Sequence, residues 1–187
     1  MNMSGLRVIA GKARGRKLRS VPGDQTRPIT DRAKESLFNI LAGDIEGAAF
    51  LDLFAGTGSV GIEALSRGAA RVRFIDRQTQ AVEIIRHNLA ATGLQSNAVV
   101  QRMDAFAYLA QPPDAAYDYA FIAPPQYQEL WRRALEALDQ RPGWLAADAW
   151  VIVQIHPVEF HEVPLENLRL FDQRKYGSVL FLFYERR

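Results

Sequence analysis

The sequence predicts a single α/β domain with a doubly wound, mostly parallel sheet and a small appendage at its N-terminus. Strand-like runs alternate with helical segments from residue 49 to residue 155. These runs are continuously apolar, which is typical of a parallel sheet covered by helices on both faces. The chain has 187 residues, of which 48% are hydrophobic and 24% are charged. This length and composition suit one globular domain with a sizeable core.

The N-terminal segment predicts a hairpin, a loop and a helix. Residues 7–18 read as two short strands around a glycine-containing turn. Residues 20–28 contain two prolines and a glycine, which indicates a loop. Thr30 offers an N-cap oxygen for a following helix. Apolar residues then recur at helical spacing, at Ala33, Leu37, Ile40 and Leu41. We expect residues 1–26 to be an appendage on one domain that spans residues 1–187.

The body of the chain predicts alternating strands and helices followed by a hairpin. The predicted strands cover residues 50–54, 72–75, 98–100, 117–122 and 149–155. The predicted helices cover residues 60–66, 78–91 and 127–138. Two further strand-like runs, 168–171 and 179–183, flank the segment Lys175-Tyr176-Gly177-Ser178. We interpret them as a closing antiparallel hairpin.

Composition excludes several classes of site. The chain has no cysteine, which excludes disulfides, thiolate catalysis and cysteine-type zinc sites. The three histidines show no carboxylate–histidine spacing of a metal site, so no metal is expected. No apolar run approaches the roughly 20 residues of a membrane span, and residues 1–7 lack a signal-peptide core. We therefore expect a cytoplasmic protein with no membrane partner.

The basic residues are concentrated at the N-terminal end. Nine basic and two acidic residues precede Glu35, whereas the remainder holds 14 basic and 19 acidic residues. A basic end on a mildly acidic body favours a polyanionic partner bound by that end. A solvated charged arm is the alternative interpretation.

A glycine-rich loop follows the first predicted strand of the body. Gly56, Gly58 and Gly61 satisfy the pattern G-x-G-x-x-G, and Asp76 lies 20 residues after Gly56. An NAD-type Rossmann site therefore fits formally. A phosphate-binding P-loop does not fit, because no Lys-Ser/Thr pair follows the glycines.

Three aspartates lie at the ends of three successive strands. Asp52 precedes the glycines, where it repels a pyrophosphate but attracts the ammonium group of an amino-acid ligand. Asp76 can accept two ribose hydroxyls, and Asp104 can accept from an adenine amine. Together they suit S-adenosyl-L-methionine, which carries a sulfonium, an ammonium, a ribose and an adenine. Each aspartate taken alone is better explained as a helix N-cap, and their joint placement is what favours the cofactor.

The fourth strand ends in Ala123-Pro124-Pro125-Gln126-Tyr127. Two consecutive prolines remove two N–H donors, so we expect nearby carbonyls to face the cleft and accept from an exocyclic amine. Tyr127 is placed to stack on a base. The alternative is a rigid loop that begins a helix.

At this point the chain resembles a family, the bacterial methyltransferases that modify a guanine N2 in 16S ribosomal RNA (RsmD-like). The resemblance runs nearly end to end. It rests on the Ala-Gly-Lys…Arg-Gly-Arg-Lys-Leu pattern that ends at Leu18, the block from Arg27 to Asn39, the glycine loop with the segment up to Gly68, and Lys175-Tyr176-Gly177. The N-terminal pattern and the Arg27 block are more specific than the glycine loop.

The resemblance implies a Rossmann-like class I methyltransferase fold with a seven-stranded sheet. It also implies S-adenosyl-L-methionine as cofactor and, as partner, 16S ribosomal RNA or a small-subunit particle. Separately from the resemblance, we expect a monomer, although no sequence pattern indicates the oligomeric state. The implied cofactor residues are Asp52, Phe54, Gly56, Gly58, Asp76, Asp104, Ala105 and Arg32. The implied catalytic residues are Pro124, Pro125, Gln126 and Tyr127. The basic hairpin is expected to bind RNA through Lys12, Arg14, Arg16, Lys17 and Arg19.

The chain departs from the family pattern at one place. The family has Asp or Asn, then Pro-Pro, then Tyr or Phe, whereas Ala123 and Gln126 stand at the first and last of these positions. Ala123 cannot accept a hydrogen bond from the target amine, so the Pro124 carbonyl or the Gln126 amide is expected to replace it. This departure keeps open a non-catalytic RNA-binding relative. An NAD-type oxidoreductase and a DNA amino-methyltransferase are further alternatives.

Overall fold

The computed structural model describes residues 5–22 and 29–187. The strands are β1 Ala49–Leu53, β2 Arg71–Asp76, β3 Ala98–Arg102, β4 Tyr117–Ile122, β5 Leu145–Ile155, β6 Leu168–Tyr176 and β7 Val179–Arg186. The α-helices are α1 Asp31–Ile40, α2 Ser59–Ser66, α3 Thr79–Thr92, α4 Ala105–Leu109 and α5 Leu130–Asp139. No helix in these two ranges is long and apolar enough to cross a membrane.

All seven strands form one sheet in the order β3-β2-β1-β4-β5-β7-β6. The five strands from β3 to β5 run parallel, and β7 pairs antiparallel with both β5 and β6. The predicted α/β class with a closing antiparallel hairpin is therefore confirmed. Because the chain leaves β1 toward β2 and returns on the other side at β4, the strand order reverses between β1 and β4. A ligand cleft is expected at the carboxyl ends of these strands.

Alternate residues of the central strands pack into two apolar layers, one on each face of the sheet. Phe50 and Phe121 point to a layer shared with α1, α2 and α3, while Leu51 and Ile122 point to a layer shared with α4 and α5. Trp131 and Trp144, both almost fully buried, belong to the second layer. Burial on both faces explains why these strands read as continuous apolar runs rather than as an alternating pattern.

Several predicted boundaries differ from the structure. Helix α4 was not expected, since one turn is too short to show a helical period. Helix α5 begins at Leu130 rather than at 127, because Tyr127 and Glu129 both have positive φ, 62° and 55°. Strand β5 begins at Leu145 rather than at 149, and β6 and β7 extend almost to each other. Residues 23–28 of the predicted loop lie outside the described residues.

The N-terminal arm, residues 5–22, is a hairpin with a single isolated bridge between Arg7 and Lys17 instead of two regular strands. Its backbone is instead held by buried side chains of the body. Glu63 on α2 accepts hydrogen bonds from the N–H groups of Ile9 and Ala10, at 2.8 and 3.0 Å. The side chain of Lys34 is fully buried and forms an ion pair with Glu63, 3.6 Å from Nζ to Oε2. The arm is therefore an integral part of the domain.

Gly61 allows α2 to pack closely on β2, and its replacement tests that packing. A Cβ at Gly61 would lie 2.3 Å from a ring carbon of Phe74 and 2.8 Å from a methyl of Val72. We expect Gly61→Ala to lower the free energy of unfolding by about 2 kcal/mol through overpacking, measured by urea denaturation. Gly43→Ala is the control, since a Cβ there meets no atom within 4 Å. Equal stability of the two variants would contradict this account.

Candidate functional site

Two adjoining cavities open at the carboxyl ends of the parallel strands. The β2–β3 cavity, of about 720 Å³, lies against the ends of β2 and β3. The β1–β4 cavity, of about 1170 Å³, lies against the ends of β1, β4 and β5. Phe54, Gly56, Ala123 and Pro125 line both of them. The two spaces therefore meet beside the glycine loop and the proline pair, where the strand order reverses.

The glycine loop is built from left-handed backbone. Phe54, Gly56 and Gly58 have φ values of 61°, 55° and 75°. A Cβ on Gly56 would project into open space, and Gly56 lines both cavities, so this glycine leaves the backbone bare toward a ligand. Gly58 lines neither cavity, and a Cβ there would lie 3.2 Å from Ile85. The two glycines thus have different roles. Gly56 borders the cavities, whereas Gly58 leaves room for the side chain of Ile85.

Asp76 fastens the glycine loop to the end of β2. Its Oδ2 accepts from the Gly56 N–H and its Oδ1 from the Gln78 N–H, each at 2.9 Å. Each carboxylate oxygen has a second lone pair, and Asp76 lines the β2–β3 cavity. This arrangement fits a ligand that presents two adjacent hydroxyl groups.

Asp104 is a helix cap, and it also lies at the cavity. Its Oδ1 accepts from the N–H groups of Phe106 and Ala107, at 2.9 and 3.1 Å, and so begins α4. Asp104 and Ala105 both line the β2–β3 cavity. The capping interpretation and the ligand interpretation are compatible, because both bonds to the backbone use one carboxylate oxygen.

The β2–β3 cavity has an apolar wall that sequence reasoning missed. Ile75, Met103 and Phe106 line it. Phe106 packs edge-on against Phe54 with ring centroids 6.0 Å apart, and the Arg133 guanidinium lies 4.2 Å from the Phe106 ring centroid. A flat aromatic ligand fits this wall. In the sequence, the only indication of this wall was that Met103 directly precedes Asp104 and Phe106 follows it by two positions.

Asp52 lies at the end of β1 and is 2% exposed, yet it lines the β1–β4 cavity. Its Oδ2 accepts from the Gly61 N–H at 3.2 Å. Burial raises the pKa of this carboxyl well above its usual value; the bond from Gly61 opposes the rise, and the nearby charge of Asp76 adds to it. A ligand cation brought beside Asp52 would relieve this electrostatic cost. The three aspartates and the bare Gly56 backbone thus fit S-adenosyl-L-methionine.

The proline segment forms the far wall of the β1–β4 cavity. Ala123, Pro124, Pro125, Gln126 and Tyr127 all line it. Tyr127 is 65% exposed and has a positive φ of 62°. An exposed aromatic ring at the rim of a cavity is suited to stacking on a base.

A glutamate that sequence reasoning missed anchors this wall. Glu159 accepts from the Tyr127 N–H at 2.7 Å through Oε1 and from the His156 N–H at 3.2 Å through Oε2. It therefore ties the strained backbone at Tyr127 to the segment after β5. Glu159 lies 32 residues from Tyr127, so no local pattern announces the contact.

The six basic side chains of the arm are all exposed: Arg7, whose Nε donates to Asp31, and the five predicted RNA-binding residues Lys12, Arg14, Arg16, Lys17 and Arg19. The tip of the arm lies at the far end of α2, where the Lys12 N–H donates to the Ser66 carbonyl. Since α2 begins at the glycine loop, this tip is roughly 10 Å along the helix from the cavities. Arg19 lies nearer, because Asn88 bonds both to its backbone and to the Thr57 carbonyl.

Arg32 is exposed and lines neither cavity. It lines a separate recess, of about 700 Å³, together with Thr30, Lys175 and Tyr176. Two basic residues therefore line this recess, and Thr30 in its lining directly follows Ile29, a residue that lines the β1–β4 cavity. The block from Arg27 to Asn39, by which the chain resembles the family, is described only from Ile29 onward, because Arg27 and Pro28 lie outside the described residues.

Comparison with known proteins gives consistent similarities. A family model described as "Conserved hypothetical protein 95" matches residues 6–185. The chain is 36% identical over 185 residues to "Putative rRNA methyltransferase YlbH" of Bacillus subtilis, covering 97% of this chain and 100% of that protein. It is 35% identical over 181 residues to "Ribosomal RNA small subunit methyltransferase D" of Escherichia coli, covering 97% and 90%.

Solved structures agree with the sequence comparisons. A structure described as "Putative methyltransferase yhhF from Escherichia coli" superposes with a TM-score of 0.85 and 36% identity, covering 97% of this chain and 98% of that one. A second, described as a "putative methyltransferase complexed with SAH", has a TM-score of 0.67 and 15% identity, and so supports the fold alone. The predicted Rossmann-like methyltransferase fold is confirmed.

Burial of Asp52 makes a prediction about stability. The raised pKa means that the folded protein binds more protons than the unfolded chain, so the cost of ionising Asp52 grows as pH rises from about 4 through the folded pKa. We expect Asp52→Asn to raise the melting temperature, by more at pH 8 than at pH 5. Asp148→Asn, at an exposed carboxylate, controls for the change in net charge. A gain for Asp52→Asn that is independent of pH would contradict this account.

Proposed function

Because the chain belongs to the Conserved hypothetical protein 95 family, we propose that it is an S-adenosyl-L-methionine-dependent methyltransferase that modifies the exocyclic N2 of a guanine in 16S ribosomal RNA. One observation carries the proposal: the cavity lined by Asp76 and Asp104 opens beside the glycine loop into the cavity lined by Asp52 and the proline pair. The names of the relatives support ribosomal RNA as the substrate class. The guanine N2 position rests on the family resemblance.

The chain would hold the cofactor along the carboxyl edge of the sheet. Asp76 would accept the ribose hydroxyls, and Asp104 with the wall at Phe106 would hold the adenine. Asp52 would bind the ammonium group at the other end, near the junction of the cavities. The cofactor supplies a methyl group made electrophilic by its attachment to a sulfonium. The protein's task is to exclude water from this region and to aim an amine at it.

The β1–β4 cavity would receive the target base. A guanine N2 locked in a base pair is not accessible to such a cavity, so the nucleotide must be unpaired or extruded. The Pro124 and Pro125 segment would accept from the amine, and Tyr127 would stack on the ring. We assign no side-chain general base, since the amine can release its proton to water after the methyl group has moved.

Two basic surfaces would hold the RNA backbone. The arm carries five exposed basic side chains besides Arg7, which pairs with Asp31. Arg32 and Lys175 line a recess near the target cavity. Phosphate contacts of this kind position a nucleic acid without reading its sequence. With the arm tip roughly 10 Å along α2 from the cavities, the arm would contact phosphates close to the target nucleotide of folded 16S RNA or a small-subunit particle.

The same proposal includes the setting in which the protein acts. Residues of one chain line both cavities, which supports a monomer as the acting form. Ribosomal RNA as substrate places the protein in the cytoplasm of a bacterial cell. The relatives named as methyltransferases disfavour an NAD-type oxidoreductase.

A methyl-transfer assay tests the function. Purified protein, radiolabelled S-adenosyl-L-methionine and small subunits from cells that lack this gene should give one labelled guanine, located by mass mapping of the 16S RNA. Asp76→Ala should abolish saturable binding of S-adenosylhomocysteine in calorimetry, because it removes the ribose acceptors and loosens the loop at Gly56. Binding of RNA without any transfer by the wild-type protein would favour the non-catalytic alternative.

Charge reversal tests the RNA surface. The triple variant Arg14→Glu, Arg16→Glu, Lys17→Glu should bind RNA at least about tenfold more weakly. Its plot of log affinity against log salt should be less steep by about 2, since each lost phosphate contact removes about 0.7–0.9 from the slope. Arg14→Glu alone is compared with the control Arg169→Glu on β6, which makes the same charge change at an exposed arginine outside the arm and also removes its ion pair with Glu185. An unchanged affinity and slope for the triple variant would exclude the arm as the RNA surface.

A further inference from the structure

The cavity proposed for the target base contains an amide that neither the motif nor the family resemblance indicates. Gln154 lies on β5, and the register pairs Ile122 of β4 with Val153 of β5. Ala123 and Gln154 are therefore the next residues along two neighbouring parallel strands. Both line the β1–β4 cavity. The position that lacks the usual acidic or amide side chain thus has a glutamine on the adjacent strand.

The Gln154 side chain has unused hydrogen-bonding capacity. Its Oε1 atom is buried and has no hydrogen-bond partner among residues 5–22 and 29–187. A buried polar atom without a partner is costly, and native proteins rarely retain one unless a ligand or water completes it. The oxygen and nitrogen of the amide exchange places by rotation about one side-chain bond. Because Oε1 is buried away from the open cavity in this rotamer, the amide presents its oxygen to the cavity that Gln154 lines only after this rotation.

Gln154 is better held than the other amide at the base cavity. Gln126 is exposed and follows the proline pair in a loop. Gln154 is partly buried in the middle of the sheet, between β4 and β7, and its backbone pairs with Phe181. Side chains carried by rigid strands hold a reacting group more accurately than side chains on exposed loops. The acceptor missing at Ala123 is therefore more effectively replaced from β5 than from the loop.

We propose that Gln154 is a catalytic residue whose side-chain oxygen accepts one N–H of the target amine. The proposal rests on the proposed function. In the transfer, the amine nitrogen forms a bond to the methyl carbon, the carbon–sulfur bond breaks, and its electron pair stays on the sulfur. The amine then releases one proton to water and keeps its other N–H. Gln154 orients the nitrogen lone pair toward the methyl group, which is the task of the acidic or amide residue elsewhere in the family.

The test compares four proteins with 16S RNA or small subunits from cells that lack the gene. Gln154→Met keeps the length of the side chain and removes the amide. We expect its kcat to fall about 100-fold, as for removal of one positioned hydrogen bond in other enzymes, with the affinity for S-adenosylhomocysteine within twofold of wild type. Ala123→Asn added to Gln154→Met should recover at least tenfold in kcat. Gln140→Met, at an exposed residue after α5, is the control and should retain wild-type kcat.

Each outcome decides the proposal. A wild-type kcat for Gln154→Met overturns it, and so does a fall in kcat that Ala123→Asn fails to reverse, because that result assigns Gln154 a structural role. If Gln154→Met loses its affinity for S-adenosylhomocysteine, Gln154→Asn is used in its place. Gln154→Asn keeps an amide but shortens the side chain by one methylene. It should show the same loss of kcat and the same recovery when Ala123→Asn is added. A wild-type protein that binds cofactor and RNA but transfers no methyl group refutes the proposed function itself.

Discussion

The site depends on a buried carboxylate at the end of the first strand of the sheet. Asp52 is almost fully removed from water, and the hydrogen bond from Gly61 only partly offsets the cost of its charge. A folded protein tolerates a buried carboxylate where a cation pairs with it. The close packing of α2 on β2 brings the Gly61 N–H to Asp52. The same helix packing that fills the core therefore also places the N–H group that partly stabilises the charge of Asp52.

Buried polar contacts also make the basic arm a fixed part of the molecule. Glu63 satisfies two arm N–H groups, and Asn88 connects the backbone of Arg19 to the glycine loop at Thr57. Burial lowers the pKa of the Lys34 amine, and the neighbouring charge of Glu63 opposes that shift. Because Asn88 contacts both the arm and the glycine loop, a substrate held by the arm would have a defined orientation to the cavities.

In the proposed base cavity, the side-chain acceptor for the target amine would be carried by β5 instead of β4. Ala123 leaves the end of β4 without a side-chain acceptor. Gln154 on the adjacent strand β5 carries an amide whose Oε1 has no hydrogen-bond partner among the described residues. Parallel strands in register bring residues that are 31 positions apart in the sequence to adjacent places. A hydrogen bond that orients an amine requires an acceptor at one place in space, and either strand can provide it.

Much of the fold and part of the site could be predicted from local sequence patterns. The apolar runs, the glycines after β1 and the aspartates at three strand ends predicted the α/β class and the edge of the sheet that carries the site, because periodicity and strand polarity are local properties. The lengths of β5 to β7 and the start of α5 were misplaced, since pairing in the sheet and the positive φ values at Tyr127 and Glu129 set them. Glu159, Met103, Phe106 and Gln154 emerged only from the tertiary structure, which alone decides which distant side chains share a cavity and which buried atoms lack a partner.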